Sequence, residues 1–145
     1  AGFTGADRRM QKKGEFNGAT VYDDYAHHPD ELAATIDSVR TSFPGRRLVL
    51  AFQPHTYTRT HALFDDFVEQ LQKPDVLVLA EIYAARERNT IGISSRDLLD
   101  KVGTGYYCAT LPEVTEKLKE LAQPGDVILT VGAGDIYRAG EALIK

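Results

Sequence analysis

The sequence predicts an α/β fold: a Rossmann-like, mainly parallel sheet with helices on both faces and an antiparallel N-terminal edge hairpin strand. Three observations carry this. Leu48–Phe52, Val76–Ala80 and Val127–Val131 are unbroken apolar runs, the pattern of strands covered on both faces. Stretches of helical periodicity separate them. Each apolar run is entered through a plain breaker (Pro44-Gly45, Pro74, Pro124-Gly125) and left through a polar loop.

Taken in order, residues 7–16 are polar and alternate loosely, and Asn17-Gly18 then precedes the apolar residues 19–22. An Asn-Gly link is a strong hairpin signal because a type I′ turn needs positive φ at both positions. This predicts an edge strand paired with the first core strand. Asp23-Asp24-Tyr25-Ala26-His27-His28-Pro29 follows as a polar loop opening a helix, with Pro29 at its first turn and Asp30 and Glu31 at its positive end. Leu32, Ile36, Val39 and Phe43 form its apolar face, and Pro44-Gly45 stops it.

After the second strand, residues 53–60 read as another polar loop. Leu63, Phe64, Phe67, Val68 and Leu71 make the next helical face, closed by Pro74. The third strand leads into Glu81-Ile82-Tyr83-Ala84-Ala85-Arg86-Glu87. A short helix is predicted from Ser94 or Ser95, and a weak strand at Tyr106-Tyr107-Cys108. Thr110 and Glu113 have capping-box spacing ahead of Val114, Leu118 and Leu121. The last strand ends in Gly132-Ala133-Gly134-Asp135 and a final helix. In a parallel sheet all strand-to-helix loops emerge at one edge, so the loops beginning at Asp23, Gln53, Glu81 and Gly132 should converge on a single rim, where such sheets bind ligands.

A chain of 145 residues, 43% hydrophobic and 26% charged, fits one domain covering residues 1–145. A net charge of -4 argues against a nucleic-acid partner, which needs a basic face. A single cysteine, Cys108, excludes an internal disulfide and fits a reducing, cytoplasmic compartment; it reads as a core residue. No apolar run reaches the roughly 18 residues of a membrane span, so no membrane partner is expected. No signal peptide opens the chain, and the start at Ala1 without Met fits a piece of a longer protein.

Four side chains on the rim carry the chemistry. His27 and Tyr25 offer hydrogen-bonding groups to a small polar substrate. The bland alternative is a solvated loop with one histidine capping the helix. A metal site is not expected, because adjacent histidines diverge and no zinc-type spacing recurs. His55 and Arg59 lie on the second loop. A cation at a helix start is electrostatically misplaced, which favours an anionic ligand there. Gly132-Ala133-Gly134 could approach a phosphate or make a tight turn; Tyr137 occupies the place of the third glycine of G-x-G-x-x-G, and no P-loop lysine motif is present.

The stretch Asp23-Asp24-Tyr25-Ala26-His27-His28-Pro29 together with Phe52-Gln53-Pro54-His55-Thr56-Tyr57-Thr58-Arg59-Thr60 resembles the C-terminal domain of the Mur ligases. Gly5-Ala6-Asp7-Arg8-Arg9, Ile82-Tyr83-Ala84-Ala85-Arg86-Glu87 and Gly132-Ala133-Gly134-Asp135-Ile136 extend the resemblance over essentially the whole chain. It implies the third, Rossmann-like domain of a three-domain bacterial enzyme. The two preceding domains would bind the UDP-sugar and carry the P-loop and most Mg2+ ligands.

The implied reaction is ATP-dependent. The lactyl carboxylate of UDP-N-acetylmuramate is phosphorylated, and the amine of L-alanine attacks the acyl phosphate in peptidoglycan precursor synthesis. The murein tripeptide ligase branch resembles the second motif less well. By residue, the resemblance puts Tyr25, His27, His55 and Arg59 on the amino-acid side, with His27 and Arg59 as the catalytic pair. It puts Arg9 and Asp24 over the nucleotide. Thr56 stands where many family members carry arginine. The fragment alone would be inactive. Kept beside this reading are a non-catalytic α/β module for a small anion or nucleotide, and a metal-dependent hydrolase using the histidine pair.

Overall fold

In the computed structural model, residues 10–144 are described. Strand β1 (Gln11–Phe16) turns through Asn17 and Gly18, both at positive φ (53° and 83°), into β2 (Ala19–Asp24), to which it is antiparallel. Gly18 is fixed by more than its φ: a Cβ there would sit 3.1 Å from Pro124, and its carbonyl accepts the Gly125 N–H at 2.9 Å. The chain continues as α1 (Pro29–Ser42), β3 (Leu48–Phe52), α2 (Tyr57–Ala62), α3 (Phe64–Leu71), β4 (Val76–Ala80), α4 (Ser95–Val102), β5 (Tyr106–Cys108), α5 (Leu111–Leu121), β6 (Val127–Val131) and α6 (Tyr137–Leu143).

The sheet order is β1-β2-β6-β3-β4-β5, with every pair parallel except β1 with β2. Alternation along the buried strands divides the core in two. Leu48, Leu50 and Phe52 face a layer with Leu32, Ile36, Val39, Phe67, Leu71 and Leu98, while Val49 and Ala51 face Val114, Leu118, Ile136, Ala139 and Leu143. Helices α1, α3 and α4 thus cover one face, and α5 and α6 the other. Cys108 lies in the second layer as a buried free thiol whose pKa burial pushes up. Among the described residues no helix is long and apolar enough to cross a membrane.

The edge where strands begin is held by Arg47. Its guanidinium donates to both carboxylate oxygens of Asp126 (3.0 and 2.7 Å) and to the Leu121 carbonyl (2.6 Å), tying the turn before β3 to the turn before β6. That edge is scaffolding.

Two elements differ from the sequence expectation. Asp23 and Asp24 belong to β2 and are buried rather than lying in the loop. Asp23 accepts from the Thr130 hydroxyl on the adjacent β6 at 2.8 Å, a bond only the strand pairing supplies. The loop expected over residues 53–60 is half helix, since α2 begins at Tyr57 and breaks at Leu63 before α3. The Thr56 hydroxyl caps it, accepting from the Arg59 N–H at 3.3 Å. Only Thr60 of its six residues is buried, so no apolar periodicity announced it.

Candidate active site

The four loops meet as expected, and each is set by its own hydrogen bonds. After β2, the Asp24 carboxylate accepts the N–H groups of Ala26 (2.9 Å) and Met10 (3.1 Å), bending the chain away from the sheet. The Glu31 Oε1 accepts from the N–H of His27 (3.1 Å) and of His28 (3.2 Å), and the His28 Nδ1 accepts from the Asp30 N–H at 3.2 Å. His28 is therefore the helix cap, completing a capping box with Pro29 at N1. His27 is left for the rim.

The protonation pattern of the two rim histidines follows from their partners. The His27 Nδ1 lies 3.2 Å from the Tyr25 carbonyl and 3.4 Å from Glu31 Oε1, groups that only accept. Nδ1 therefore carries the hydrogen, and in the neutral ring Nε2 keeps its lone pair. His55 is the reverse. Its Nδ1 is 3.2 Å from the Arg59 guanidinium, which only donates, so Nδ1 accepts and Nε2 carries the hydrogen. Burial, then the positive Arg59 and then His27, push the His55 pKa down, against a smaller opposing pull from Glu87, and favour that neutral form. The two rings are 6.1 Å apart edge to face, and Tyr25 lies 5.5 Å from His27. One histidine offers a base and its neighbour a donor. Beside them stands a fixed cation.

Arg59 is held from three sides. Its side chain donates to the Nδ1 of His55 and, at 3.4 Å, to the His55 carbonyl; its N–H is capped by Thr56; and the start of its helix is anchored by Glu87. Glu87 Oε1 accepts from the N–H groups of Tyr57 (2.7 Å) and Thr58 (3.1 Å), and Oε2 from the Thr58 hydroxyl (2.5 Å), bonds that hold its carboxyl below the usual range. Thr56 pairs its N–H with the Tyr83 carbonyl at 2.8 Å while sitting at φ 70°, ψ 147°, a region costing a β-branched residue on the order of 1–3 kcal/mol. The loop is kept strained at the point where it presents His55 and Arg59.

The glycine loop after β6 makes a tight turn against the protein itself. The buried Gln53 side chain accepts from the N–H groups of Asp135 (3.1 Å) and Ile136 (3.2 Å) through Oε1, and its Nε2 donates to Asp135 Oδ1 at 2.8 Å. Those two N–H groups are committed to Gln53, so they do not cradle a phosphate. Nor do His, Cys, Asp and Glu residues gather in threes among the described residues.

Sequence reasoning quoted Gln53, Tyr83 and Glu87 within motifs but gave them no role. Their partners are 82–83, 27–29 and 29–30 residues away along the chain, and only the fold brings them together. Arg9 lies outside the described residues.

Glu81 closes the rim at its β4 end. Burial would raise its pKa, but donors from the Ser95 and Ile82 N–H groups and the Ser94 and Tyr107 hydroxyls outweigh burial and leave it lowered. A carboxyl lowered by folding stabilises fully above its ordinary 4.5 and loses that contribution as pH falls through the lower folded value. Glu81→Gln should therefore be less stable than wild type at neutral pH, and the difference should shrink as pH drops below 4.5. Urea unfolding across that range is the check; a difference independent of pH would refute it.

A cavity of about 530 Å³ beside β5 is lined by Arg96, Tyr107, Cys108 and the Glu113, Glu116 and Glu120 side of α5, and contains none of Tyr25, His27, His55 and Arg59. Its charges are already matched. Arg96 lies over Tyr107, Lys117 pairs with Glu120, Lys119 with Glu116, and Glu113 takes the N–H groups of Ala109 and Thr110.

The sequence matches the family model described as "Mur ligase, glutamate ligase domain" over residues 8–134. The chain belongs to the Mur ligase family. This Mur ligase domain is 50% identical over 147 aligned residues to the UDP-N-acetylmuramate–L-alanine ligase of Agathobacter rectalis, and 46% identical over 148 to that of Salinibacter ruber. Each alignment covers 99% of this chain but only 32% and 31% of the relative, so the domain spans about a third of the relatives it matches. Its fold superimposes with a TM-score of 0.73 on a domain from a putative UDP-N-acetylmuramate:L-alanyl-gamma-D-glutamyl-diaminopimelate ligase of Haemophilus ducreyi, at 25% identity, covering 94% of this chain and 97% of that one.

Proposed function

We propose that this Mur ligase domain supplies the amino-acid side of an ATP-dependent ligase that joins L-alanine to UDP-N-acetylmuramate. The observation that carries the proposal is the His27–His55–Arg59 group at the carboxyl ends of β2 and β3, with one imidazole set as acceptor, one as donor, and a cation fixed beside them. The names of the 46–50% identical relatives support the choice of L-alanine.

In this reading Arg59 binds the carboxylate of the incoming amino acid or the charge that develops on the acyl group. A preorganised donor is most useful there, because it need not reorganise as the charge forms. The lone pair on His27 Nε2 takes the proton that the amine loses on attack, with Nδ1 held by the Tyr25 carbonyl. The His55 Nε2–H donates to the amino acid or the acyl oxygen, and Tyr25 borders His27 on its other contacts. Asp24 acts through the backbone, accepting the Met10 N–H, and the resemblance assigns Asp24 and Arg9 to the nucleotide side.

ATP, Mg2+ and the UDP-sugar are then bound by two further domains, a UDP-sugar domain and a P-loop domain, in the part of the protein beyond this chain, in the bacterial cytoplasm. The domain on its own is inactive. The test is ADP release by the full-length protein with UDP-N-acetylmuramate and ATP. Release that depends on L-alanine supports the proposal. Release that needs a tripeptide instead assigns the murein-peptide branch, the second reading favoured by the Haemophilus ducreyi domain.

A further inference from the structure

Tyr83 touches both the site and the glycine loop. Its ring stacks on the His55 imidazole, with centroids 5.5 Å apart and planes inclined by 19°. Its backbone brackets the same residue: the Tyr83 N–H donates to the Pro54 carbonyl and the Tyr83 carbonyl accepts from the Thr56 N–H, both at 2.8 Å. His55 is thus fixed through the residues before and after it and through its ring plane.

On the other loop, a Cβ on Gly134 would lie 2.6 Å from the Gln53 Oε1, 2.6 Å from the Tyr83 Cγ and 2.8 Å from its Cδ1. A Cβ does not approach other atoms so closely, so the absence of a side chain at Gly134 is a condition for the positions of both the Tyr83 ring and the Gln53 amide. Gly134 is itself placed by Gln53, whose Oε1 takes the next two N–H groups. The chain of contact runs from Gly134 to Tyr83, to the His55 ring, and through His55 Nδ1 to Arg59.

We propose that Tyr83 is a positioning residue that sets the plane of His55 and thereby the place of Arg59, and that Gly134 is glycine so that Tyr83, together with the Gln53 amide, can occupy this place. The proposal rests on the reading of His55 and Arg59 as the amino-acid side of the site. Tyr83 itself needs no contact with substrate. Its work is geometric, since misplacing a binding group by an ångström is enough to cost up to about a hundredfold in rate.

The experiment is proton NMR of the His55 ring across a pH titration, on the chain described here, for wild type, Y83F, Y83A and G134A. The groups facing His55 are Arg59 on α2, His27 on the β2–α1 loop, and Glu87 and Tyr83 on the β4–α4 loop. In wild type the stacked ring should displace the His55 signals upfield. Y83A should abolish that displacement and move the His55 midpoint up toward 6.5, because burial is the largest cause of its lowering. Y83F should restore both. G134A should shift the Tyr83 and His55 ring signals together, whereas a disturbance passed through Gln53 alone would leave the Tyr83 ring signals in place, so the contact remains testable should Y83A fold poorly.

In the full-length protein, Y83A should raise the KM for L-alanine about tenfold with a smaller change in kcat, and Y83F should recover it. Unchanged His55 signals in Y83A or in G134A overturn the proposal whatever the activity. If those signals move as expected while ADP release proves independent of L-alanine, the assignment of function falls and the positioning by Tyr83 stands.

Discussion

Replacing Arg59 with alanine in the full-length protein should lower kcat/KM for the amino acid by roughly 10²–10³, the range seen when one preorganised donor is removed from an acyl-transfer site. The expectation rests on how firmly the guanidinium is held: by the acceptor nitrogen of a neutral His55, by the His55 carbonyl, and by a helix start that Thr56 and Glu87 cap. Arg59→Lys should recover only part of the loss, because an ammonium keeps the charge without the planar fork. Neither change should unfold the domain, since Arg59 is half-exposed and belongs to neither core layer. Coupled measurement of ADP release and thermal unfolding separates the two effects. A variant with wild-type kcat/KM would remove Arg59 from the site.

Gln53→Leu should destabilise the domain by about 2–4 kcal/mol, as urea unfolding of this chain would read it. Leucine is similar in size, so little cavity forms. The loss is instead that of an acceptor for the Asp135 and Ile136 N–H groups and of a donor to Asp135. A buried N–H without a partner costs about 1–3 kcal/mol; Ile136 is fully buried, whereas Asp135 is partly exposed and can turn to water. Gln53→Glu distinguishes the two halves of the network: the acceptor stays, while the donor is replaced by a carboxylate facing Asp135. If Gln53→Leu unfolds at the wild-type urea concentration, the glycine loop is held by something other than Gln53.

Local signals made the framework legible. Buried strands announced themselves as apolar runs, α1 carried its first-turn proline and apolar face and α5 its cap and apolar face in the right order, and Asn17-Gly18 foretold the hairpin. Parallel topology then implied a shared rim, and the rings of His27, His55 and Tyr83 do lie side by side there. What stayed hidden depends on partners distant in sequence.

The sequence reading puts His27 on the rim, but that His28 is the helix cap shows only in its Nδ1, which accepts the Asp30 N–H. Helix α2 hid among polar residues because its start is stabilised by Glu87, 29–30 residues later, rather than by a buried face. The Gly132-Ala133-Gly134 turn could be read as a phosphate loop from spacing alone. Only the amide of Gln53, 82–83 residues earlier, shows that the next two N–H groups, those of Asp135 and Ile136, are already taken.

The sheet order also governs when this site can exist during synthesis. Strands β2 and β3, whose loops carry His27 and His55, do not pair with each other; both pair with β6. While the chain emerges from the ribosome, each has an open hydrogen-bonding edge until residues 127–131 arrive and slot between them. Contacts between strands so far apart along the chain are slow to form, and open edges invite pairing with other molecules. A chain interrupted before β6 would therefore possess every rim histidine and still have no means of bringing them together.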